Sequence, residues 1–430
     1  MPNVSKRGRS GALSALQHRD FAFFWWAALI SNAANWMQQF TVPFIMYDMT
    51  ASNTWVGAAA FTSLFPAVGL APVAGVLADR FPRRRVMVVT MTVLTLTCAT
   101  FAALWTSGQL TPWRILALNL LIGIAVGIQA SSWLALVPLL VPASSLLSAI
   151  RLNSAQFTAS RAIGPLAGAG LLKFVGAGSV FAANAATYAL LVVVLLAVRP
   201  RDVAVPGRQR LGSFLVAGLA YVRRRSSLVQ AITTGLVMAY FGGALLHLAA
   251  GLAAEDYEVG ETGLAGLITA AGVGSVIGSA LIIAHGDRFD RSLVARWGLG
   301  LYAAGSLLAM ATTSYPVGLA GYFLSGVAHV CVAISMNSAI QSQVAEDMRG
   351  RALSLYTMGI FAGWPLGALV GGWIGDRVGL RLVFAVNGLV LVGYLVAISI
   401  RWAGLRALDA NRDVADRAVG DQPGTPGSTA

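Results

Sequence analysis

Polar side chains that interrupt long apolar runs are the residues of this sequence whose types and spacing could do chemistry. Asn32, Asn35 and Gln39 follow one another at i, i+3 and i+7, which puts them on one face of a helix. Amide groups on such a face can hydrogen-bond a polar solute. Because polar groups inside a membrane are costly, their clustering indicates a solute path.

Other apolar runs carry comparable polar residues. They are Gln129, Tyr240, Tyr322 and Asn337. Tyr240 precedes His247 by two helical turns, and Tyr322 precedes His329 by the same interval. These side chains are candidates for contact with a solute. The alternative is that each ties two helices together through a hydrogen bond.

Ionisable groups near the apolar runs are few, which limits the proton chemistry of the chain. His247 and His329 can exchange a proton near neutral pH. The carboxylates Asp48, Glu255 and Asp256 stand at the ends of apolar runs, and no carboxylate stands at the middle of one. We expect proton coupling to use residues from this set. The other interpretation of the histidines is a core or cavity-lining role.

Arg161 is the one cation well inside an apolar run, three residues before Gly164 and Pro165. A guanidinium in that position should face a cavity or a partner. The alternative is a packing stripe of glycines beside an arginine whose charged end reaches the membrane surface.

Catalytic and metal-binding signatures are missing from the sequence. Cys98 and Cys331 both fall within apolar runs, so they predict neither a disulfide nor a metal site. There is no phosphate-binding loop, no H-E-x-x-H pair and no G-x-S-x-G turn with suitable partners. We therefore expect no cofactor, no metal and no enzymatic activity.

The elements that carry these residues must be membrane helices. Hydrophobic residues make up 57% of the 430-residue chain, which is more apolar surface than a soluble domain of this size could bury. A helix crosses the bilayer in roughly 20 apolar residues. Twelve such runs occur, at about 21–47, 55–78, 86–106, 113–137, 149–172, 178–198, 227–248, 262–284, 292–311, 316–340, 351–374 and 380–402. The predicted fold class is an all-α membrane protein with twelve transmembrane helices.

The formal charge of +13 is explained by where the basic residues lie. If the N terminus is inside, most Lys and Arg residues fall in tails and connections on that same side, as the positive-inside rule requires. We expect a multi-pass protein of the cytoplasmic (inner) membrane with both termini in the cytoplasm. The positive charge therefore needs no nucleic-acid partner to explain it. The expected partners are the lipid bilayer, a small-molecule substrate and protons. The chain is expected to act as a monomer.

An internal repeat divides the chain. Asp79-Arg80-Phe81 returns as Asp287-Arg288-Phe289, and Val180-Phe181-Ala182 returns as Val383-Phe384-Ala385, in each case about 200 residues later. The predicted organisation has six helices in residues 19–198 and six in 227–402. A cytoplasmic linker with an amphipathic helix, 199–226, joins the two bundles, and cytoplasmic tails occupy 1–18 and 403–430.

The segment GVLADRFPRRR, residues 75–85, resembles the motif G-x-L-A-D-R-x-G-R-[RK]-[RK] between the second and third helices of major facilitator transporters. The matching residues are Gly75, Leu77, Ala78, Asp79, Arg80, Arg83, Arg84 and Arg85, with Pro82 where the family prefers glycine. The resemblance implies the major facilitator fold of two six-helix bundles. It also implies that Gly75, Asp79, Arg80 and Arg83 form a latch that joins the halves when the inner side is closed. The alternative for the arginines is simple anchoring at the inner membrane surface.

Longer stretches narrow the resemblance to one branch of the facilitators. LQHRDFAFFWWAALISNAANWMQQF and LNSAQFTASRAIGPLAGAGLL are similar to the branch that contains the enterobactin exporter and the macrolide-efflux proteins. In the family, a run such as Gly164, Pro165 and Gly168 in the fifth span bends and packs that helix and accompanies export. Pro365 and Gly367 resemble its partner in the eleventh span.

One feature of the drug antiporters is absent. Asn119 stands where the fourth helix of the family carries an arginine, so the usual route of proton coupling is in doubt.

The sequence thus predicts a secondary active transporter that exports an amphipathic organic molecule, a siderophore or a drug, by alternating access with proton antiport. An importer or facilitated carrier of a small solute is the alternative, because transporters with this fold can move a solute in either direction. A non-transporting membrane receptor or scaffold is the remaining one.

Overall fold

A computed structural model describes residues 13–201, 218–285, 288–344, 346–400 and 409. Every regular element in these ranges is helical, which confirms the predicted all-α class. The first six long helices are α1 (Arg19–Thr50), α2 (Asn53–Arg80), α3 (Arg83–Thr106), α4 (Pro112–Leu136), α5 (Leu146–Val175) and α6 (Ala177–Ala197). Their bounds lie within a few residues of the predicted spans.

The second half begins with an interrupted helix. The elements are α7 (Ser226–Val237), a π-helical turn (Met238–Gly242), α8 (Gly243–His247), α9 (Ala249–Glu255), α10 (Glu261–His285), α11 (Arg291–Ala311), α12 (Tyr315–Gln343), α13 (Glu346–Val378) and α14 (Leu380–Ile400). The predicted seventh span therefore consists of several short pieces rather than one regular helix.

Packing and one hydrogen bond account for this interruption. Gly242 faces the ring of Tyr302 so closely that an added Cβ would lie 2.7 Å from a ring carbon. Tyr322 donates its hydroxyl to the carbonyl oxygen of Leu245 at 2.7 Å, which withdraws that oxygen from the regular helical ladder. The helix then breaks at Leu248, so His247 stands at the end of α8.

Nine helices in the described ranges are long and apolar enough to cross a membrane. The remaining long helices, α1, α2 and α5, contain 32, 28 and 30 residues, which also exceeds the length of a crossing. Polar residues on α1 and α5 lower the hydropathy of those two helices. The chain is a multi-pass membrane protein, and a total of twelve crossings stays a prediction.

Matching turns support the internal repeat. Gly176 joins α5 to α6 with φ 99°, and Gly379 joins α13 to α14 with φ 84°. Both conformations lie in the left-handed region that glycine adopts without steric cost. The copied residue Asp287 lies outside the described residues.

The two halves also use glycine in the same way to pack their helices. Gly168 of α5 lies against α1, where an added Cβ would be 3.0 Å from the Cα of Met37. Gly367 of α13 lies against the π-helical turn, where an added Cβ would be 3.1 Å from the Cα of Tyr240. Glycines at such contacts allow two helix backbones to approach closely. Pro165 and Pro365 stand inside these same two helices.

Described parts of the predicted N-terminal tail and linker pack on the bundle. Ser14–Gln17 form a single 3-10 turn, and the N–H of Ala15 donates to the hydroxyl of Ser148 at 3.2 Å. Residues 218–223 are helical, and Val222 is buried in the core of the second half. Residues 202–217, 401–408 and 410–430 lie outside the described residues, and the predicted boundaries of tails and linker stay a prediction.

Gly164 and Gly170 of α5 form a matched pair for testing this packing. Gly164→Ala should lower the thermal unfolding midpoint, because the new methyl group would lie 2.8 Å from the carbonyl oxygen of Ala33 and even closer to Trp36. Overpacking of this kind costs about 1–3 kcal/mol. Gly170→Ala should leave the midpoint unchanged or raise it, since no atom lies within 4 Å of that site. Thermal denaturation of the purified protein in detergent measures both, and equal midpoints would contradict the close contact of α1 with α5.

Candidate functional site

Two neighbouring cavities lie among the long helices and share Gln39 and His247 in their walls. The first, of about 30 Å³, is lined mainly by α1, α2 and α4. The second, of about 100 Å³, has walls from both halves of the chain, including Arg161 from the first half and Trp364 from the second. A solute in the second cavity would therefore contact both halves at once.

The polar face of α1 is divided between helix contacts and the cavities. Asn32 donates to the side-chain oxygen of Gln156 on α5 at 3.0 Å, and Asn35 accepts from the hydroxyl of Tyr188 on α6 at 3.1 Å. Asn35 also reaches the first cavity. Gln39 lines both cavities. The structure thus uses Asn32 to tie helices together and points Gln39 at the space between the halves.

Arg161 stands near the middle of the 30-residue helix α5 and lines the second cavity. Its guanidinium carbon lies 5.4 Å from the centroid of the Trp36 ring. Among the described residues Arg161 has neither a hydrogen bond nor an ion pair. A cation–π contact contributes about 0.5–2 kcal/mol, whereas a charge at the middle of a membrane costs about 2.5–3.5 kcal/mol on insertion scales. The ring therefore offsets only part of the cost of this charge.

Aromatic rings surround the two predicted histidines. The indole of Trp364 is near both, with its ring centroid 6.2 Å from that of His247 and 5.4 Å from that of His329. His247 lines both cavities. His329 is buried, and its Nδ1 lies 3.5 Å from the hydroxyl of Tyr302. Only His247 of the pair is therefore positioned at the cavity walls.

The remaining candidates occupy other environments. Tyr322 is fully buried and bonded to the backbone of α8, so it belongs to the core rather than to a cavity wall. Asn337 accepts a hydrogen bond from Gln341 on its own helix. Tyr240 packs against α13 within the π-helical turn. Gln129 has a buried side-chain oxygen without a partner among the described residues.

One end of the bundle is held shut by hydrogen bonds between the halves. The carboxylate of Asp376, near the end of α13, accepts from the backbone N–H groups of Asn53 and Thr54 at 2.6 and 3.0 Å and from the hydroxyl of Ser52. Asn53 and Thr54 begin α2, so an anion from the second half caps a helix of the first half. The unpaired N–H groups and dipole of a helix N terminus favour a carboxylate there. We call this region the closed end.

Glu255 makes a second connection at the closed end. Its carboxylate accepts from the hydroxyl of Tyr47 and from the side-chain N–H of Asn53, both at 2.7 Å. The neighbouring Asp256 lies 3.9 Å from the guanidinium of Arg381 within the second half. Asp48 is exposed at the end of α1. Two of the three carboxylates predicted for proton coupling thus lie at or beside the contact between the halves.

The halves separate toward the opposite end, which we call the open end. Near the closed end, an added Cβ on Gly57 would touch the backbone of Ala368 in the other half. Farther along the same pair of helices, Gly69 has no atom within 4 Å of its Cβ position, and Gly359 meets only Leu236 of its own half at 3.8 Å. Buried apolar residues of the first half are continuous with those at the closed end of the second half, whereas the rest of the second half has a separate core.

The predicted latch motif lies at this open end. Gly75 and Asp79 are in the last turns of α2, but their side chains lie outside the described residues. Arg80 is exposed and Arg83 is half-buried at the start of α3. A latch at the inner side stays a prediction.

Sequence reasoning missed Asp376, Trp36 and Trp364. Tryptophan is common in membrane helices, so nothing local distinguishes these two rings. Asp376 had a usable signal, because Gly375-Asp376-Arg377 ends α13 much as Ala78-Asp79-Arg80 ends α2. Both pairs place a carboxylate next to an arginine at a helix end.

Comparison with known proteins agrees with this architecture. The family described as "Transmembrane secretion effector", of the MFS class, matches residues 10–422. The MFS-type transporter YfiS of Bacillus subtilis (strain 168) is 24% identical over 396 residues, covering 86% of this chain and 90% of that protein. The transporter YgaY of Escherichia coli (strain K12) is 26% identical over 179 residues, covering 41% of this chain and 43% of that protein.

Solved structures show the fold. The nucleoside transporter NupG has a TM-score of 0.71 at 14% identity, covering 90% of this chain and 99% of that chain. A bacterial homologue of the human lysosomal transporter Spinster, in an inward-facing and unoccupied conformation, has a TM-score of 0.66 at 14% identity, covering 95% and 99%. At this identity the likeness concerns the fold alone, which is that of the major facilitators.

Asp376→Ala should open the closed end. The substitution removes the acceptor from the N terminus of α2, and the loss of a capping side chain costs about 1–2 kcal/mol. That free energy shifts a two-state equilibrium roughly tenfold. Spin labels are attached at Met49→Cys and Val378→Cys in a protein that also carries Cys98→Ser and Cys331→Ser. Pulsed electron paramagnetic resonance should then show a larger share of long distances between the two labels.

Glu258→Gln is the matched control for this measurement. Glu258 is an exposed carboxylate in the loop before α10, so its replacement should leave the distance distribution unchanged. An Asp376→Ala distribution identical to that of the control would show that the capping interaction does not hold the halves together.

Proposed function

The chain belongs to the transmembrane secretion effector family of major facilitator transporters, and we propose that it exports an amphipathic organic molecule by alternating access. The observation that carries the proposal is the second cavity, whose walls come from both halves and which lies between a closed end and an open end. A site shared by two halves is exposed alternately when one half rocks against the other.

The direction of loading follows from the placement of charge. The open end carries Arg80, Arg83, Arg84 and Arg85, and the positive-inside rule assigns such a cluster to the cytoplasm. We place both termini on that side, in the cytoplasmic membrane, and assign the closed end to the outer face. In the conformation described above, the cavity then loads from the cytoplasm, as an exporter requires. The resemblance to siderophore and macrolide exporters supports the same direction.

Proton antiport would act through the closed end. Protonation of Glu255 would replace a carboxylate by a neutral acceptor for Tyr47 and Asn53, and hydrogen bonds to charged acceptors are about twice as strong as those to neutral ones. Protons arriving from outside would therefore favour separation of the halves there and release of the cargo. His247, at the cavity walls, is the second candidate for carrying a proton through the cycle.

Inverted membrane vesicles test the proposal directly. Fluorescent drugs and siderophores should accumulate inside vesicles that contain the protein when a pH gradient is imposed, and accumulation should stop when the gradient is collapsed. Uptake into whole cells without accumulation in inverted vesicles would instead indicate an importer. Equilibration that ignores the gradient would indicate a facilitated carrier.

Arg161→Ala should reduce accumulation in this assay much more than Arg84→Ala. Arg161 lines the cavity, whereas Arg84 donates to the carbonyl oxygens of Leu195 and Leu196 at the end of α6. Equal losses would show that Arg161 has only a structural role.

Asp79→Asn should slow transport while leaving the amount of inserted protein unchanged. Full transport in that variant would contradict the predicted latch at the inner side.

Asp256 should make the stability of the protein depend on pH. Burial raises the pKa of this carboxyl, while Arg381 opposes the rise and Glu255 adds to it. The folded chain then retains the proton at higher pH than the unfolded chain. The resulting stabilisation is present below the unfolded value and is lost as the pH rises through the folded pKa.

Asp256→Asn removes this titration. The thermal unfolding midpoint of the variant should change less than that of the parent protein between about pH 4 and pH 7. Glu258→Gln, in the same loop, should retain the parent pH dependence. An unchanged pH profile in Asp256→Asn would show that burial of Asp256 does not control its protonation.

A further inference from the structure

We propose that the cargo is an organic anion with an aromatic ring, whose carboxylate or sulfonate binds Arg161 while its ring packs between Trp36 and Trp364. This inference rests on the proposed transport function and specifies the chemistry of its substrate. It is carried by the charge and the aromatic walls of the second cavity.

The second cavity carries a positive charge that its lining residues do not balance. Arg161 is the only charged residue among those that line it, and none of the lining residues is acidic. Its guanidinium carbon lies 5.4 Å from the centroid of the Trp36 ring. Among the described residues no carboxylate pairs with it. The cavity therefore presents an uncompensated positive charge to whatever enters it.

No carboxylate among the described residues is placed to pair with Arg161. The carboxylates of the described residues stand at helix ends or in loops. At the closed end, Glu255 and Asp376 already accept hydrogen bonds, and Asp256 lies beside Arg381. Rocking of the halves moves helices as rigid bodies, so it does not bring a helix-end carboxylate to the middle of α5. A ligand carboxylate or sulfonate would fulfil this role, because a planar guanidinium binds such groups through two parallel hydrogen bonds.

Two indole rings determine which ligand shape suits the second cavity. Trp36 belongs to the first half and Trp364 to the second, and both indoles face the same cavity. The rings of His247 and His329 pack near the Trp364 indole, at centroid distances of 6.2 and 5.4 Å. Aromatic rings favour aromatic partners in offset or edge-to-face geometry. Gln39 and His247 line the same cavity and supply hydrogen-bonding groups for the polar edge of the ligand.

The same charge excludes one class of cargo. A lipophilic cation would meet Arg161 at close range without a carboxylate to attract it, which is unfavourable in a site of low dielectric constant. Of the drug and siderophore molecules carried by related exporters, the site therefore favours anionic aromatic compounds. It disfavours the cationic dyes that serve as general probes of drug export.

The test measures equilibrium binding to the full-length protein in lipid nanodiscs, with empty nanodiscs as the blank. The probes are 2-naphthoate and 2-naphthamide, which share one ring system and differ in charge. Isothermal titration should show that naphthoate binds about tenfold more tightly, since loss of a charged partner from a buried pair typically costs at least that factor. Arg161→Gln should abolish this preference, and Arg161→Lys should keep part of it.

Two further variants separate the contributions. Trp364→Ala should weaken both probes by a similar factor, because the indole contacts the ring and not the charge. Lys173→Gln is the matched control, since Lys173 is an exposed cation at the last turn of the same helix. It should leave both affinities unchanged. Size-exclusion profiles identify variants that fail to fold.

The proposal is overturned if the parent protein binds both probes equally, binds neither, or keeps its preference for naphthoate in Arg161→Gln. The binding assay involves neither a gradient nor a direction. Anion preference without accumulation in vesicles would therefore contradict the export proposal alone, and accumulation of neutral or cationic compounds without anion preference would contradict the present inference alone.

Discussion

The carboxylate of Asp376 at the N terminus of α2 is the interaction on which the rest of the structure depends. A helix N terminus carries unpaired N–H groups and a partial positive charge. Here those groups are satisfied by the opposite half of the chain rather than by the residue before the helix. This contact is possible because Gly372 lets α13 approach the backbone of Asn53 closely. This capping interaction closes one end of the bundle. It is strong enough to stabilise the contact between the halves and weak enough to break when one half moves against the other.

Closure of that end determines what the cavity contains. With α2 and α13 in contact at the closed end, Arg161 and Gln39 of one half line the same cavity as His247 and Trp364 of the other. The chain leaves a guanidinium there without a carboxylate, although a pairing residue would have stabilised the folded state. Retaining an unpaired cation at a cavity wall is understandable when the ligand supplies the missing charge.

The helices α2 and α13, which are not repeat copies of each other, end in similar residues. Both α2 and α13 finish in an Asp-Arg pair, Asp79-Arg80 and Asp376-Arg377, and the two helices pack against each other. Asp376 caps the start of α2 at the closed end. Asp79, which belongs to the predicted latch, lies in the last turn of α2 at the open end. We expect the latch at Asp79 and the cap at Asp376 to hold opposite ends of this helix pair.

Composition and hydropathy predicted the helical class and most of the helix bounds, because apolar length is a local property that the membrane selects. The internal repeat and the motif at residues 75–85 indicated the major facilitator fold. The sequence by itself also identified Arg161, Gln39, His247 and Glu255 as candidate functional residues, and it left structural alternatives open for the first three. Tertiary structure alone decided how the candidates divide. Tyr322 and His329 are buried inside the second half, where they lie against Leu245 and Tyr302, whereas Gln39 and His247 meet at the cavity. Pairings such as Asp376 with Asn53 depend on contacts between residues more than three hundred positions apart, which no local pattern encodes.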